Sequence, residues 1–183
     1  AKRSAELHPE DYGENVRALE AVQPVDLTAS EISVRLGATW LTLEIIEEFM
    51  FELFSTPRYC QWNIHVHYAQ YTGEWNVEGK SYDRSNVKAY NTYGTGRVNG
   101  YKIMEETLNL RDVRIFDYIE DGNGMKTALL NKKETAIAQG KQELIKQAFA
   151  DWIWSDPERR EQLTKLYNEK FNSIRPASMT AAT

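Results

Sequence analysis

Apolar positions recur every three or four residues in several parts of the chain, a spacing that predicts amphipathic helices. We expect a short helix over residues 11–23 and a two-turn helix over residues 28–36. The second helix has both ends specified, because Thr28 and Glu31 have capping-box spacing and a glycine follows its last residue. Residues 43–54 are apolar on more than one face, which predicts a central helix buried on several sides.

Two other regions have the two-residue alternation of β-strands. Apolar and polar side chains alternate over residues 60–68, as in a half-buried strand. A turn at residues 72–73 leads into a return strand over residues 74–78, which predicts a first hairpin. Residues 113–119 and 125–130 have similar strand patterns on either side of a glycine-rich turn, and they predict a second hairpin.

The remaining segments connect and follow these hairpins. Between them, we expect a short strand over residues 87–93 and a helix that starts near Arg97. After the second hairpin, Asn131 provides an N-cap for a long helix. That helix ends before Pro157, which suits the first position of a last helix ending by Pro176.

These elements together predict an α+β fold. We expect a small antiparallel sheet of two hairpins, with N-terminal helices and two C-terminal helices packed on it. A chain of 183 residues suits a single hydrophobic core, so we place one domain at residues 1–176. Residues 177–183 are small and uncharged, and they predict a loose C-terminal tail.

The net charge of −5 is unevenly distributed along the chain. Residues 1–56 carry 4 Lys and Arg against 11 Asp and Glu, whereas residues 57–133 carry 11 against 9. An acidic N-terminal part and a mildly basic middle part can form two surfaces, one repelled by nucleic acid and one compatible with it. The alternative is that both are ordinary solvated faces.

Several features predict a soluble cytoplasmic protein. No apolar run reaches the roughly 18 to 20 residues that a membrane-spanning helix needs. The first residues lack the apolar stretch of a secretion signal. The single cysteine, Cys60, has no internal disulfide partner, which suits a reducing compartment.

Catalytic signatures are absent from the sequence. The phosphate-loop, nucleophile-elbow and helical zinc-protease motifs do not occur, and residues 94–100 miss the dinucleotide-binding glycine spacing by one residue. His65 and His67 share one face of a predicted strand, but zinc needs three or four ligands and the sequence supplies no second pair. We therefore expect no enzymatic activity, no cofactor and no metal site.

The segment over residues 79–102 has the most functional character. It carries five basic side chains against Asp83 alone, with tyrosines and asparagines between them. Cations bind phosphates, aromatic rings accept stacked bases, and amides bond to base edges, so we predict contact with duplex DNA. The alternative is that the tyrosines pack within a hairpin. The predicted phosphate contacts are Lys80, Arg84, Lys88, Arg97 and Lys102, and the predicted stacking residues are Tyr90 and Tyr93.

Residues 29–40, 93–99, 108–111 and 151–160 carry a resemblance to a known type of protein. They are similar to the accessory region between the adenine-methylase part and the SNF2-type helicase core of very large DNA methylase/helicase proteins of bacterial mobile elements. The resemblance covers roughly residues 11–176. The methylase and helicase motifs themselves are missing, so it implies a DNA-associated context, with those larger parts as partners, and no catalysis.

A mobile-element origin also raises an inhibitor hypothesis. A small protein of this kind could inhibit a host defence nuclease, as anti-CRISPR proteins do, by docking on a basic nucleic-acid channel and touching DNA. A purely structural connector is a third hypothesis. The nuclease-facing residues of the inhibitor would be Glu31, Glu44, Glu47, Glu48 and Glu52.

Overall fold

The computed structural model describes residues 25–120, 122 and 124–172. The chain divides into two compact units, one of residues 1–32 with 160–183 and the other of residues 33–159. The predicted helix over residues 11–23 and the predicted tail over residues 177–183 lie outside the described residues. The expectation of a single domain over residues 1–176 stays a prediction.

The α+β fold class is confirmed, with helices on the N-terminal and C-terminal sides of two antiparallel hairpins. The hairpins form two separate two-stranded sheets, whereas we expected one small sheet. Two short π-helices span Lys88–Thr92 and Asn168–Asn172. The other elements, in chain order, are α1 (Leu43–Phe54), α2 (Arg58–Gln61), β1 (His65–Ala69), β2 (Glu74–Glu78), α3 (Gly100–Leu108), β3 (Phe116–Glu120), β4 (Lys126–Leu130), α4 (Lys132–Ile153) and α5 (Pro157–Tyr167).

The core of residues 33–159 is built around α1, as its apolar pattern predicts. Helices α1 and α3 pack on the first hairpin, and α4 packs on α3 and α1. Aromatic rings join these layers, since the Phe49 and Phe149 centroids lie 5.1 Å apart in an edge-on arrangement. The largest fully buried side chains are Tyr101, Phe49, Phe54, Phe149, Ile46, Met50, Ile64, Ile103, Met104, Leu108, Ile145 and Ile153.

Both predicted hairpins are present, with shorter strands. In the first, Tyr68 pairs with Trp75 across the strands, and their ring centroids lie 4.6 Å apart. Strand β1 begins only at His65, because residues 58–61 form the helical turn α2. The second hairpin is exposed along almost its whole length. Among the described residues, no helix is long and apolar enough to cross a membrane.

The predicted helix over residues 28–36 is wrong. The capping contacts exist, because the Thr28 N–H and hydroxyl both donate to Glu31 Oε2 at 2.8 and 2.7 Å, but they close only a single turn. Gly37 does have the expected left-handed backbone, with φ of +88°. Its backbone lies against the Leu108 carbonyl, so tertiary packing of this segment overrides the local helical pattern.

The predicted strand over residues 87–93 is also wrong, because this segment is the π-helix Lys88–Thr92. Asn86 Oδ1 accepts a hydrogen bond from the Ala89 N–H at 3.0 Å, an amide contact of the kind that starts a helical turn. Ala89 is fully buried. The Asn131 N-cap is confirmed, since its Oδ1 accepts from the Glu134 N–H at 3.0 Å.

In the other unit, asparagine side chains bond to the backbone of residues 25–27. Asn168 Oδ1 accepts from the Leu27 N–H at 2.8 Å, and Asn168 Nδ2 donates to the Leu27 carbonyl at 2.8 Å. Asn172 Nδ2 donates to the Val25 carbonyl at 2.8 Å. These amides satisfy the hydrogen-bonding groups of this backbone.

Candidate nucleic-acid interface

Three of the five predicted phosphate contacts are held in ion pairs. Lys80 and Lys102 both pair with the Glu105 carboxylate, and Lys102 Nζ lies 2.5 Å from Glu105 Oε1. Arg97 Nη1 lies 2.8 Å from Asp117 Oδ1. The positive charge of these side chains is therefore compensated within the chain.

Glu105 is the centre of a charge network between β2 and α3. Its side chain is 8% exposed, and besides the two lysines it accepts a hydrogen bond from the Val77 N–H at 2.9 Å. Burial alone would raise the pKa of Glu105, but the hydrogen bonds from Lys102, Lys80 and Val77 outweigh it and hold the pKa below the ordinary value. This network positions the first hairpin on α3.

The two predicted stacking tyrosines are half-buried and are used in packing. The Tyr90 hydroxyl accepts a hydrogen bond from Asn99 Nδ2 at 3.3 Å. The Tyr93 ring packs edge-on against Phe54, with the centroids 5.9 Å apart. Their placement resembles the packing alternative that the sequence left open.

Arg84 and Lys88 differ from the other predicted cations. Both are exposed, and among the described residues neither pairs with a carboxylate. Arg84 Nε donates to the Ser81 carbonyl at 3.1 Å, and Lys88 Nζ donates to Ser55 Oγ at 2.8 Å. Their charges are available to an external anion.

The segment that carries these two cations packs against residues 54–62. Asn86 Nδ2 donates to the Phe54 carbonyl at 2.9 Å, and Cys60 Sγ lies 3.8 Å from the Tyr82 carbonyl oxygen. With Cys60 turned inward, the other side of the α2 turn faces solvent. On that side are Arg58, Tyr59 and Trp62, which sequence reasoning missed.

The exposed side chains of these two segments form what we call the aromatic–basic surface. Three are aromatic and strongly exposed, Tyr59 at 72%, Trp62 at 82% and Tyr82 at 64%. Within the described part of the chain, none of the three cations has a carboxylate partner. The surface consists of Arg58, Tyr59, Trp62, Tyr82, Arg84 and Lys88.

A buried polar cluster lies beneath this surface and fixes its two segments. Asp83 is 2% exposed and accepts hydrogen bonds from the Tyr101 hydroxyl at 2.8 Å and from Asn86 Nδ2. The Tyr101 hydroxyl also lies 2.7 Å from Thr56 Oγ1. Burial raises the pKa of Tyr101, so its proton stays in place as a hydrogen-bond donor. Fully bonded polar clusters of this kind hold neighbouring segments in one arrangement.

The sequence profile of a family described as a domain of unknown function, DUF8437, matches residues 35–173. The chain belongs to the DUF8437 family. No curated protein and no solved structure matches it. The whole aromatic–basic surface lies within the DUF8437 match, whereas Glu31 lies before it.

The glutamates that were predicted to face a nuclease lie mostly in internal contacts of the DUF8437 domain. Glu47 Oε1 accepts from the backbone of β1 at 2.7 Å, and Glu52 accepts from the Trp152 indole. Glu48 lies 3.3 Å from Arg159, whose guanidinium is 3.5 Å from the centroid of the Trp152 ring. These three carboxylates hold α1 against β1 and the C-terminal end of α4.

The remaining two predicted glutamates lie apart from these contacts. Glu44 is exposed in the first turn of α1. Glu31 belongs to the other unit and bonds to Thr28. Four of the five predicted glutamates thus lie on α1, and Glu31 lies outside the DUF8437 match.

The two histidines of β1 each face a carboxylate. His65 Nδ1 lies 3.6 Å from Glu47, and His67 Nε2 lies 3.3 Å from Glu78. In the part of the DUF8437 chain that the structure describes, no three His, Cys, Asp or Glu side chains group closely enough to hold a metal ion.

A thiol-labelling experiment tests whether the polar cluster keeps the Cys60 thiol inaccessible to solvent. Cys60 is 5% exposed, and burial together with the Asp83 carboxylate raises the pKa of its thiol. Because the thiolate is the reactive form, we expect the folded protein to react with a soluble thiol reagent no faster than it unfolds. Labelling in increasing urea should follow the unfolding curve measured by tryptophan fluorescence. Fast labelling in buffer would show that the two segments separate without global unfolding.

Proposed function

We propose that this chain is a non-enzymatic DNA-associated module that contacts nucleic acid through the aromatic–basic surface. The observation that carries the proposal is that two segments packed on each other carry three exposed aromatic rings and three cations, none of which has a carboxylate partner among the described residues. Cations of this kind bind backbone phosphates, and exposed aromatic faces stack on bases. A rigid polar cluster beneath them lowers the entropy that binding would cost.

The resemblance to the accessory region of mobile-element methylase/helicase proteins supports the same function. In such a context the module would hold or orient DNA beside larger catalytic parts in the cytoplasm. Because Lys80, Arg97 and Lys102 are held in ion pairs, we exclude these three residues from the proposed phosphate contacts. Arg84 and Lys88 remain, and Arg58 joins them.

Salt-dependent DNA binding tests this proposal. We expect the combined variant Arg58→Gln, Arg84→Gln and Lys88→Gln to bind duplex DNA roughly several hundredfold more weakly near 0.1 M salt. The slope of log affinity against log salt should become shallower by about 3, since each lost phosphate contact removes about 0.9. Fluorescence anisotropy on a labelled duplex over a range of salt concentrations measures both quantities.

A matched variant separates local contacts from net charge. Lys126→Gln, Lys132→Gln and Lys133→Gln together remove the same number of charges from exposed positions outside the surface. We expect this variant to retain the parent salt slope. Equal losses of DNA affinity in both variants would show that DNA responds to the net charge of the protein and not to this surface. No DNA binding by the parent protein would refute the proposed function.

The inhibitor hypothesis remains a second proposal. A gel shift on duplex DNA, with and without a guide-loaded CRISPR nuclease, separates the two functions. A DNA-associated module shifts duplex DNA by itself with a steep salt dependence. An inhibitor forms a complex with the loaded nuclease and stops cleavage. A structural connector does neither.

A further inference from the structure

A cavity of about 350 Å³ lies in the unit of residues 33–159. Its walls come from residues 34–36, from the turn after α3 at residues 110–112, and from α4. This volume is in the range of small-molecule sites. None of the aromatic–basic residues lines it.

One wall of the cavity is apolar. Val34, Leu36 and Phe149 contribute to it, and the last two are almost fully buried, at 4% and 1% exposure. Ala150 extends the same wall along α4. An apolar group that enters the cavity would therefore leave water for contact with aliphatic and aromatic carbon.

The charged lining is predominantly positive. Arg35, Arg111 and Lys146 line the cavity against the single carboxylate Asp112. Arg111 and Lys146 have glutamate partners outside the lining. Arg35 is exposed and, within the described residues, has no carboxylate partner. The cavity thus offers one uncompensated guanidinium beside two further cations.

The turn that forms one wall is held in place before any ligand binds. Gln142 is 2% exposed, and its Nε2 donates to the Arg111 carbonyl at 2.8 Å. Its Oε1 accepts from the Val113 N–H at 3.2 Å. Leu110 has a left-handed backbone, with φ of +57°. A non-glycine residue keeps such a conformation only where its surroundings enforce it, and residues of this kind cluster at ligand sites.

We propose that this cavity binds a small amphipathic organic anion, with a carboxylate or phosphate head at Arg35 and an apolar body against Leu36 and Phe149. An inorganic anion would leave the apolar wall unused, and an apolar cation would be repelled by the uncompensated guanidinium of Arg35. The proposal concerns a different surface from the DNA contact and does not depend on it.

Four probes separate the contributions of head and body. Isothermal titration calorimetry would use octanoate, octyl phosphate, octylammonium and inorganic phosphate. We expect saturable one-to-one binding of at least one of the two octyl anions, and comparison of the two identifies the preferred head. Octylammonium and inorganic phosphate should each bind at least about tenfold more weakly, because each lacks one of the two kinds of contact.

Three variants locate the site. Arg35→Gln should weaken binding of the preferred octyl anion by about tenfold through loss of a charge-assisted hydrogen bond. Lys133→Gln removes an exposed charge that lies outside both surfaces and should leave this binding unchanged. Ala150→Leu enlarges a side chain of the apolar wall and so narrows the cavity without a change in charge. This variant should also weaken binding of the octyl anion.

Three results would overturn the proposal. They are equal affinities for octanoate, octyl phosphate and octylammonium, no saturable binding of either octyl anion, and no effect of either Arg35→Gln or Ala150→Leu. Circular dichroism of the two cavity variants checks that they are folded.

Discussion

Replacing Gly79 by alanine is expected to lower the free energy of unfolding by about 3 kcal/mol, from left-handed backbone strain and steric overlap together. Gly79 follows β2 directly and has φ of +70°, in the region that side chains rarely adopt. A Cβ at this position would lie 1.8 Å from the Asn63 carbonyl oxygen and 3.2 Å from Ile64 Cα. Both obstacles are backbone atoms of the segment before β1, so no side chain can turn away to make room.

Urea unfolding, followed by tryptophan fluorescence and far-ultraviolet circular dichroism, measures this effect. Gly140→Ala is the matched control, because nothing lies within 4 Å of its added Cβ and the residue is inside α4. Alanine is the better helix former, so this control should raise stability by up to about 1 kcal/mol. A small loss at Gly79 would show that the chain before β1 can move away. That movement would also loosen the aromatic–basic surface, since α2 ends just before this segment.

Elements with a strong repeating pattern could be predicted from the sequence. Helices α1 and α4 and the first hairpin follow directly from apolar spacing, because each buries apolar side chains along one face. The second hairpin follows from its strand patterns and its glycine-rich turn, although its strands are almost wholly exposed. The segments over residues 28–36 and 87–93 were assigned wrongly. Local side-chain hydrogen bonds are present in both segments, and those of the first segment were predicted. The tertiary packing of Gly37 and Ala89 nevertheless determines the backbone conformation of the two segments.

The candidate surface was only partly predictable. Arg84 and Lys88 were among the predicted phosphate contacts, and the four-residue spacing of Lys102 and Glu106 was an unused signal for their helical ion pair. The sequence could not show that Lys80 pairs with Glu105, 25 residues away, because that contact depends on how β2 packs on α3. Trp62 was missed because residues 60–68 were assigned to a strand, and Arg58 was missed because it lies before that segment, where no element was predicted. Their four-residue spacing was the available signal for a shared helical face.

Glu105→Gln is expected to lower the free energy of unfolding by roughly 2 to 3 kcal/mol at neutral pH, because a nearly buried carboxylate that binds two ammonium groups is replaced by a neutral amide. The amide oxygen can still accept from the Val77 N–H, which limits the loss. Lys80 and Lys102 have side chains that are 29% and 43% exposed, so they can turn toward water. Glu143→Gln removes a carboxylate that is 70% exposed in its pair with Lys146, and this control should cost less than about 1 kcal/mol.

The pH dependence distinguishes a charge effect from a change of shape. The folded pKa of Glu105 lies below the ordinary glutamate value of 4.5, so the carboxylate stabilises the fold fully above that value. As the pH falls from 4.5 through the lowered folded pKa, the native carboxyl takes up its proton and this stabilisation is lost. The stability difference between the parent protein and Glu105→Gln should therefore be largest near neutral pH and shrink steadily below pH 4.5. A difference that stays constant over this range would mean that the amide disturbs packing between β2 and α3, and that the two lysines contribute little through their charge.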